Sequence, residues 1–433
     1  MVRQSARAIA ARFGGRKQPV NQKRVSRWKK LLLILLVLVV LSQIPFAYRR
    51  YRLGRLHVAI QQLNSQRAST EDVEGEVEFK GVVHVHSSLG GHSTGNFADI
   101  IAAAQSNQLD FVVMTEHPSP VFNTAEMTLK GEHGGVLFVN GNEVSTATGD
   151  RFLLIPGEAQ AADDSKRSTV EVLSRRTTGL SLVAYPAEFK SWTASGYNGI
   201  EVYNVYTNAR KINPLVMFFD SLWSYHSYPD LLFATFYERP TENLKHWDDQ
   251  IKQGGKPLVA TAGNDAHANI GLSLIDSSGK TLLGFKLDPY ERSFRLVRLH
   301  VLVSHPPNGP VSFSPLDEGS LLAAVAGGHC FIGFDLFGDT SGFRFSAQNA
   351  EQKVIMGDEI KLENEVRLTV ALPVLGRVVL LRDGLPIQDK NGVNKLEFVA
   401  REKGSYRVEV YLPQLPGPVG QQPWIISNPI YVK

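Results

Sequence analysis

The sequence of 433 residues is short of cysteine, with Cys330 its only one. A lone thiol excludes an intrachain disulfide framework and any multi-cysteine zinc site. Acidic residues are missing from one end. Residues 1–70 hold fifteen Lys and Arg and no Asp or Glu, while the remainder holds 31 basic against 42 acidic residues. The net charge of +4 therefore hides an acidic body, which disfavours nucleic acid as a partner. Charged residues make up only 20% of the chain and hydrophobic ones 43%. That balance excludes wholesale disorder and leaves apolar surface for two or three domains. No P-loop or Rossmann fingerprint is present, and no serine-nucleophile elbow is read in the body.

One long hydrophobic run stands out. Residues 31–40 are uninterrupted, and the run continues through Leu41, Ile44 and Phe46 to Tyr48, broken only by Ser42, Gln43 and Pro45. Eighteen such residues make a helix about 27 Å long, enough to cross a hydrocarbon core. Ten basic residues precede the run, and Arg49, Arg50, Arg52 and Arg55 follow it. The upstream excess predicts a cytoplasmic tail over 1–30 and a single-pass anchor over 31–48, with the body periplasmic or extracellular. A cleaved signal peptide is the alternative, but no small-x-small cleavage site follows the run. In the juxtamembrane segment 49–75, Leu53, Leu56, Ile60 and Leu63 recur at heptad-like spacing, the basis for expecting a short stalk and a homodimer.

Residues 76–340 alternate short apolar runs with helical stretches. Strands are predicted over 82–86, 111–114, 136–139, 152–155, 182–184, 200–203 and 258–261, and helices over 96–108, 168–176 and 241–253. This alternation predicts an α/β fold whose mostly parallel sheet closes into a barrel. Beyond residue 340 the pattern changes to period two around the Asp383-Gly384 and Lys403-Gly404 turns. Residues 341–433 are therefore predicted to form a separate antiparallel β-sandwich.

Chemistry-bearing residues gather where the predicted strands end. His84, His86 and His92 lie in HVHSSLGGHS, and the next strand runs into Thr115-Glu116-His117. The third is followed by Gly141-Asn142-Glu143, and a late one by Gly263-Asn264-Asp265-Ala266-His267. In a strand His84 and His86 share a face, because side chains alternate. Nitrogen and carboxylate ligands without thiolates suit zinc, manganese or iron. Each motif alone is ordinary: an HxH is common in strands, Glu143 by itself is a surface carboxylate, and Asp265 is as readily a turn residue. Their recurrence at one topological position is what predicts a metal site. His133 is the reserve ligand; His57, His226, His246, His300, His305 and His329 read as structural or solvated.

This ordered set over about residues 78–340 resembles the polymerase and histidinol phosphatase (PHP) superfamily of metallohydrolases. The resemblance implies a distorted (β/α)7 barrel. It implies one metal on His84, His86, Glu143 and Asp265, and another on His92, His117 and His267. Members with three metals carry a His-Pro where this chain has Tyr185-Pro186, and a further His where it has Gly149-Asp150-Arg151-Phe152. One or two ions are therefore expected, and Arg151 and Tyr185 become candidate substrate contacts. Arg382-Asp383-Gly384, the segment 404–408 and the segment 424–431 are similar to the tail of the carbamate-hydrolase-like (CehA/McbA-like) branch. The expected activity is hydrolysis by a metal-bound hydroxide attacking a small substrate, first a phosphoester and second a carboxyl or carbamate ester. A membrane-tethered module that binds without catalysing is the reading of another class.

Overall fold

A computed structural model describes residues 27–68, 75–159, 161–254, 256–275, 281–304 and 316–433. The tail over 1–26 and the segment 69–74 lie outside these. The chain divides into two units, residues 1–48 and 49–433. In the first, the helix Arg27–Ser65 begins, and the side chains of Leu31 to Leu41 are all about half exposed or more. This helix is long and apolar enough to cross a membrane, by length and composition.

The same helix runs on into the second unit. There Leu53, Leu56 and Leu63 are buried in the core of the body. The heptad-like spacing therefore reflects packing against the chain's own body, and the stalk reading is corrected. A stripe at i, i+3, i+7 and i+10 fits any apolar partner, and spacing alone does not name which one.

The body contains a fourteen-stranded sheet, a five-stranded sheet and a two-stranded hairpin. The strand Glu76–Val85 pairs in parallel with Phe111–Met114, which pairs in parallel with Val136–Val139. On its other side it runs antiparallel to Arg298–Ser304. The sheet then continues through Cys330–Gly333, Pro423–Ser427, Gly404–Tyr411 and Val366–Arg382. The five-stranded sheet is ordered Asn142–Ser145, Arg151–Ile155, Leu180–Ala184, Gly199–Asn204, Val259–Gly263.

Two expectations fall here. The strands do not close into a (β/α)7 barrel: they form two mixed sheets, joined at the site, among the described residues, by the single bridges Val85↔Ala266 and Glu116↔Asn142 and the backbone bonds around them. The C-terminal strands are not a separate sandwich either, because they extend the larger sheet. The local causes are visible. Parallel neighbours need a long crossover, and the helix Phe97–Ser106, capped by Asn96, supplies one between the first two strands. Between Asn142–Ser145 and Arg151–Ile155 only five residues intervene, held by Thr146 N–H donating to Asp150 O at 2.9 Å. So short a link makes the pair antiparallel.

Away from the strand ends, His300 is buried in a charged network. Its Nδ1 lies 2.8 Å from Glu78 Oε1, and its Nε2 lies 2.9 Å from Thr340 Oγ1 and 3.3 Å from Asp335 Oδ1. Burial opposes the charged ring, but Asp335 and Glu78 outweigh it and push His300 up to about 9. A raised folded value means that this stabilisation is complete below the ordinary 6.5 and is lost as pH rises through about 9. The stability of the wild-type protein is expected to fall by about 2–3 kcal/mol across that window. His300→Gln should flatten the slope in urea titrations taken at several pH values; an unchanged slope would refute the assignment.

Candidate metal centre

The strand Glu76–Val85 does not deliver His84 and His86 by simple alternation. Its register shifts between Val83 and Val85, and His84 adopts φ +70°. Such a bulge re-aims a side chain at the cost of a left-handed residue. Asp265, just past the strand Val259–Gly263, is also left-handed at φ +47°. With both in place, the ligand atoms converge. Glu143 Oε2 lies 3.2 Å from His84 Nε2 and 3.3 Å from His86 Nε2. Asp265 Oδ1 lies 3.5 Å from each of the same two nitrogens. All four side chains are buried.

A second group shares His86. Ligand atoms of His86, His117 and His267 also fall within 4.8 Å of one another. The His86 ring lies nearly parallel to both of the others, with centroids 4.6 Å from His117 and 4.4 Å from His267. His92 falls outside both groups. It stands edge-on to His117 at 4.7 Å, on the wall of the cleft above. The expected trio of His92, His117 and His267 is thus replaced by one that contains His86. His133 is remote in role: its Nε2 lies 3.0 Å from Lys130 O.

Residues inside the cluster fit a cation. Neither ring nitrogen of His86 has a hydrogen-bond partner, and neither does Asp265 Oδ1, although all are buried. Orphaned buried polar atoms are costly, and a shared divalent ion would satisfy them together. Burial opposes charge on His84, but Glu201 and Asp265 outweigh it and hold the ring well above its ordinary value. Burial likewise opposes ionisation of Glu143, and the hydrogen-bonded His84 ring, with His86 beside it, holds it well below the usual carboxylate range. Burial, helped by His86 and the other imidazoles, pushes His117 down to about 4 against the pull of Glu143. His117 is therefore neutral near pH 7, the form that ligates metal.

Two residues escaped the sequence reading. Glu201 is fully buried, and its Oε2 lies 2.7 Å from His84 Nδ1. A carboxylate on the far nitrogen orients the ring and turns Nε2 toward Glu143 and Asp265. The signal was present, since Glu201 is the lone charge in the buried strand Gly199–Asn204. Asn204 donates to Glu201 Oε1 at 2.7 Å and to Asp265 Oδ2 at 3.3 Å. The letters Gly91-His92-Ser93-Thr94-Gly95 also spell a G-x-S-x-G that the reading passed over. Ser93 Oγ donates to the carbonyl of His267 and bonds Tyr290 Oη at 2.8 Å, so it ties loops together and is not held by a base. Glu116 of the TEH run is equally occupied, accepting from Ser87 and Thr128.

No protein-family profile matches the sequence, and no curated protein does. Among solved structures, the crystal structure of PsfC from Pseudomonas syringae PB-5123 aligns with 13% identity and a TM-score of 0.34. That alignment covers 57% of this chain and 89% of that one. A likeness so slight carries no argument, and the site is read from its own geometry.

Above the cluster is a cleft of about 400 Å³, with His92, Arg151, Tyr185 and Tyr206 among its walls. Tyr185 donates to Asp265 Oδ2 at 2.8 Å, which makes it a brace for a ligand as well as a wall. Burial, then Asp265 and Glu143, raise its pKa, so the phenol remains a donor. Arg151 lies over the Tyr185 ring at 4.8 Å, and its Nη1 is 3.9 Å from Glu143 Oε1. Gly263 makes room beneath. A Cβ there would strike the Glu201 carboxylate and approach His84 Cβ. Gly263→Ala is expected to displace Glu201 and weaken metal binding about 10- to 100-fold, the usual range for losing an outer partner of a metal-bound His. Metal titration by calorimetry checks this; unaltered affinity would show that the Glu201 contact is dispensable.

Proposed function

We propose that this chain is a membrane-anchored, metal-dependent hydrolase with a PHP-type ligand set, acting first on a phosphoester. The observation that carries this is the convergence of His84, His86, Glu143 and Asp265 on one buried point below an open cleft. A divalent ion bound there, zinc, manganese or iron, would supply a Lewis acid and acidify water near neutral pH. His84, His86, Glu143 and Asp265 would hold it, with His117 and His267 available, through His86, for a neighbouring ion. Glu201 orients the His84 ring, and Tyr185 and Asn204 fix Asp265.

Arg151 favours an anionic substrate. Its guanidinium is 42% exposed at the cleft, where it can pair with a phosphoryl oxygen. An acidic body offers no broad field for polyanions, so the substrate is small. The basic residues upstream of the apolar run favour an N-terminus in the cytoplasm and a body across the membrane.

The test is elemental analysis of the detergent-purified full chain, coupled to an assay panel of phosphomonoesters, phosphodiesters, and carboxyl and carbamate esters. One or two equivalents of transition metal and phosphoester turnover are expected. Turnover of carboxyl or carbamate esters alone would reassign the substrate. Absence of both metal and turnover after loading with zinc, manganese or iron would leave only a binding module.

A further inference from the structure

The helix Pro214–Ser224 is built inside out. Its buried residues are Asp220, Ser221 and Ser224, all polar. Its exposed stripe is Leu215, Phe218 and Leu222, at 66%, 43% and 69% exposure, with Trp223 alongside at 36%. These positions are three and four residues apart, so they share one face. An apolar cleft of about 290 Å³, lined by Pro214, Met217, Phe218 and Phe233, extends the same surface. Contiguous exposed apolar surface of this kind marks an interaction site.

This helix is bonded to the residues that directly follow the hydrophobic run in the chain. Arg49 is the first residue after that run, and its Nη1 bonds Asp220 Oδ2 at 2.7 Å. Arg50 bonds the Trp223 carbonyl and, at 2.9 Å, Ser227 Oγ. The inverted helix is thus tied to the point where the chain leaves the apolar span. Exposed Arg210 and Lys211 precede it, and exposed Tyr51 lies on the tethering helix. Basic residues beside an apolar stripe, with Trp and Tyr nearby, are the composition of a segment lying in the headgroup region.

We propose that the helix Pro214–Ser224 lies in the surface of the lipid bilayer, in the leaflet from which the N-terminal span emerges. The body then contacts the membrane at two places, the anchor and this face. The inference rests on the anchor reading above, and its test separates the two. The full chain, reconstituted in phosphatidylcholine–phosphatidylglycerol vesicles, carries a fluorophore on a single introduced cysteine, Cys330 being buried. The variants are Leu222→Cys, Leu38→Cys in the span, and Ser65→Cys, which lies about 24 Å along the helix axis from Arg49. Spin-labelled lipid should quench the label at 222 several-fold more than that at 65. Quenching at 38 but not at 222 overturns the docking alone. No quenching at 38 overturns the anchor and the docking together. A disulfide formed between chains through Leu222→Cys, with no lipid quenching there, would assign the face to a second copy and also overturn the proposal.

Discussion

His86→Ala is expected to leave the purified chain without bound metal and with hydrolysis reduced to background. His86 belongs to both ligand groups, so no other single change removes as much. Its Nε2 faces Glu143 and Asp265 at 3.3 and 3.5 Å, and both carboxylates keep other partners, His84 for the first and Tyr185 and Asn204 for the second. Far-ultraviolet circular dichroism should therefore match wild type. Asp265→Asn, which keeps the volume and removes the charge, should act in the same direction. A second readout is independent of any substrate. Metal that binds only the folded state stabilises wild type by about 2.7 kcal/mol at a hundredfold excess over the dissociation constant. The variant should show no such gain in a thermal titration. Wild-type metal content in His86→Ala would remove the site from consideration.

Arg407→Ala is expected to destabilise the protein by about 3–5 kcal/mol, because it leaves the buried Asp248 carboxylate without its cation and removes one of the two cations on Glu409. Arg407 is almost fully buried, and its Nε and Nη2 each lie 2.8 Å from Asp248 oxygens on the helix Thr241–Gly254. Its Nη1 lies 2.6 Å from Glu409, which also takes Arg239 through two bonds of 2.6 and 2.8 Å. Urea unfolding measures the loss, and adding Asp248→Asn and Glu409→Gln should recover part of it. A change within the scatter of surface substitutions would show that the network is not coupled. The consequence reaches the metal centre. Asn428 bonds both the N–H and the carbonyl of Ala260 within the strand that leads to Asp265, and Tyr431 Oη accepts from Leu258 N–H. The C-terminal strands therefore brace the ligand-bearing strand.

Local elements were legible because their signals are local. Asn96 caps Phe97–Ser106, and Ser168 with Glu171 forms a capping box on Thr169–Arg175, as short-range patterns indicate. The apolar span reads from length alone. The cluster was legible as a set of motifs at strand ends, but its membership was not. His92 sits one side chain outside, His86 serves both groups, and Glu201 is hidden within an apolar strand. Where an imidazole points depends on a bulge at His84, and a bulge leaves no mark in the order of residues.

By itself, the sequence determined several of the helices and strands, where a membrane could be crossed, and that imidazoles and carboxylates, not thiolates, would be the candidate ligands. The tertiary structure alone decided the rest. It joined the C-terminal strands to the main sheet, left the two sheets linked by single bridges where a closed barrel was expected, and buried Leu53, Leu56 and Leu63 in the body. The reason is physical: strand pairing and helix docking are long-range choices among partners of equal hydrophobicity, and periodicity specifies a face without naming what covers it.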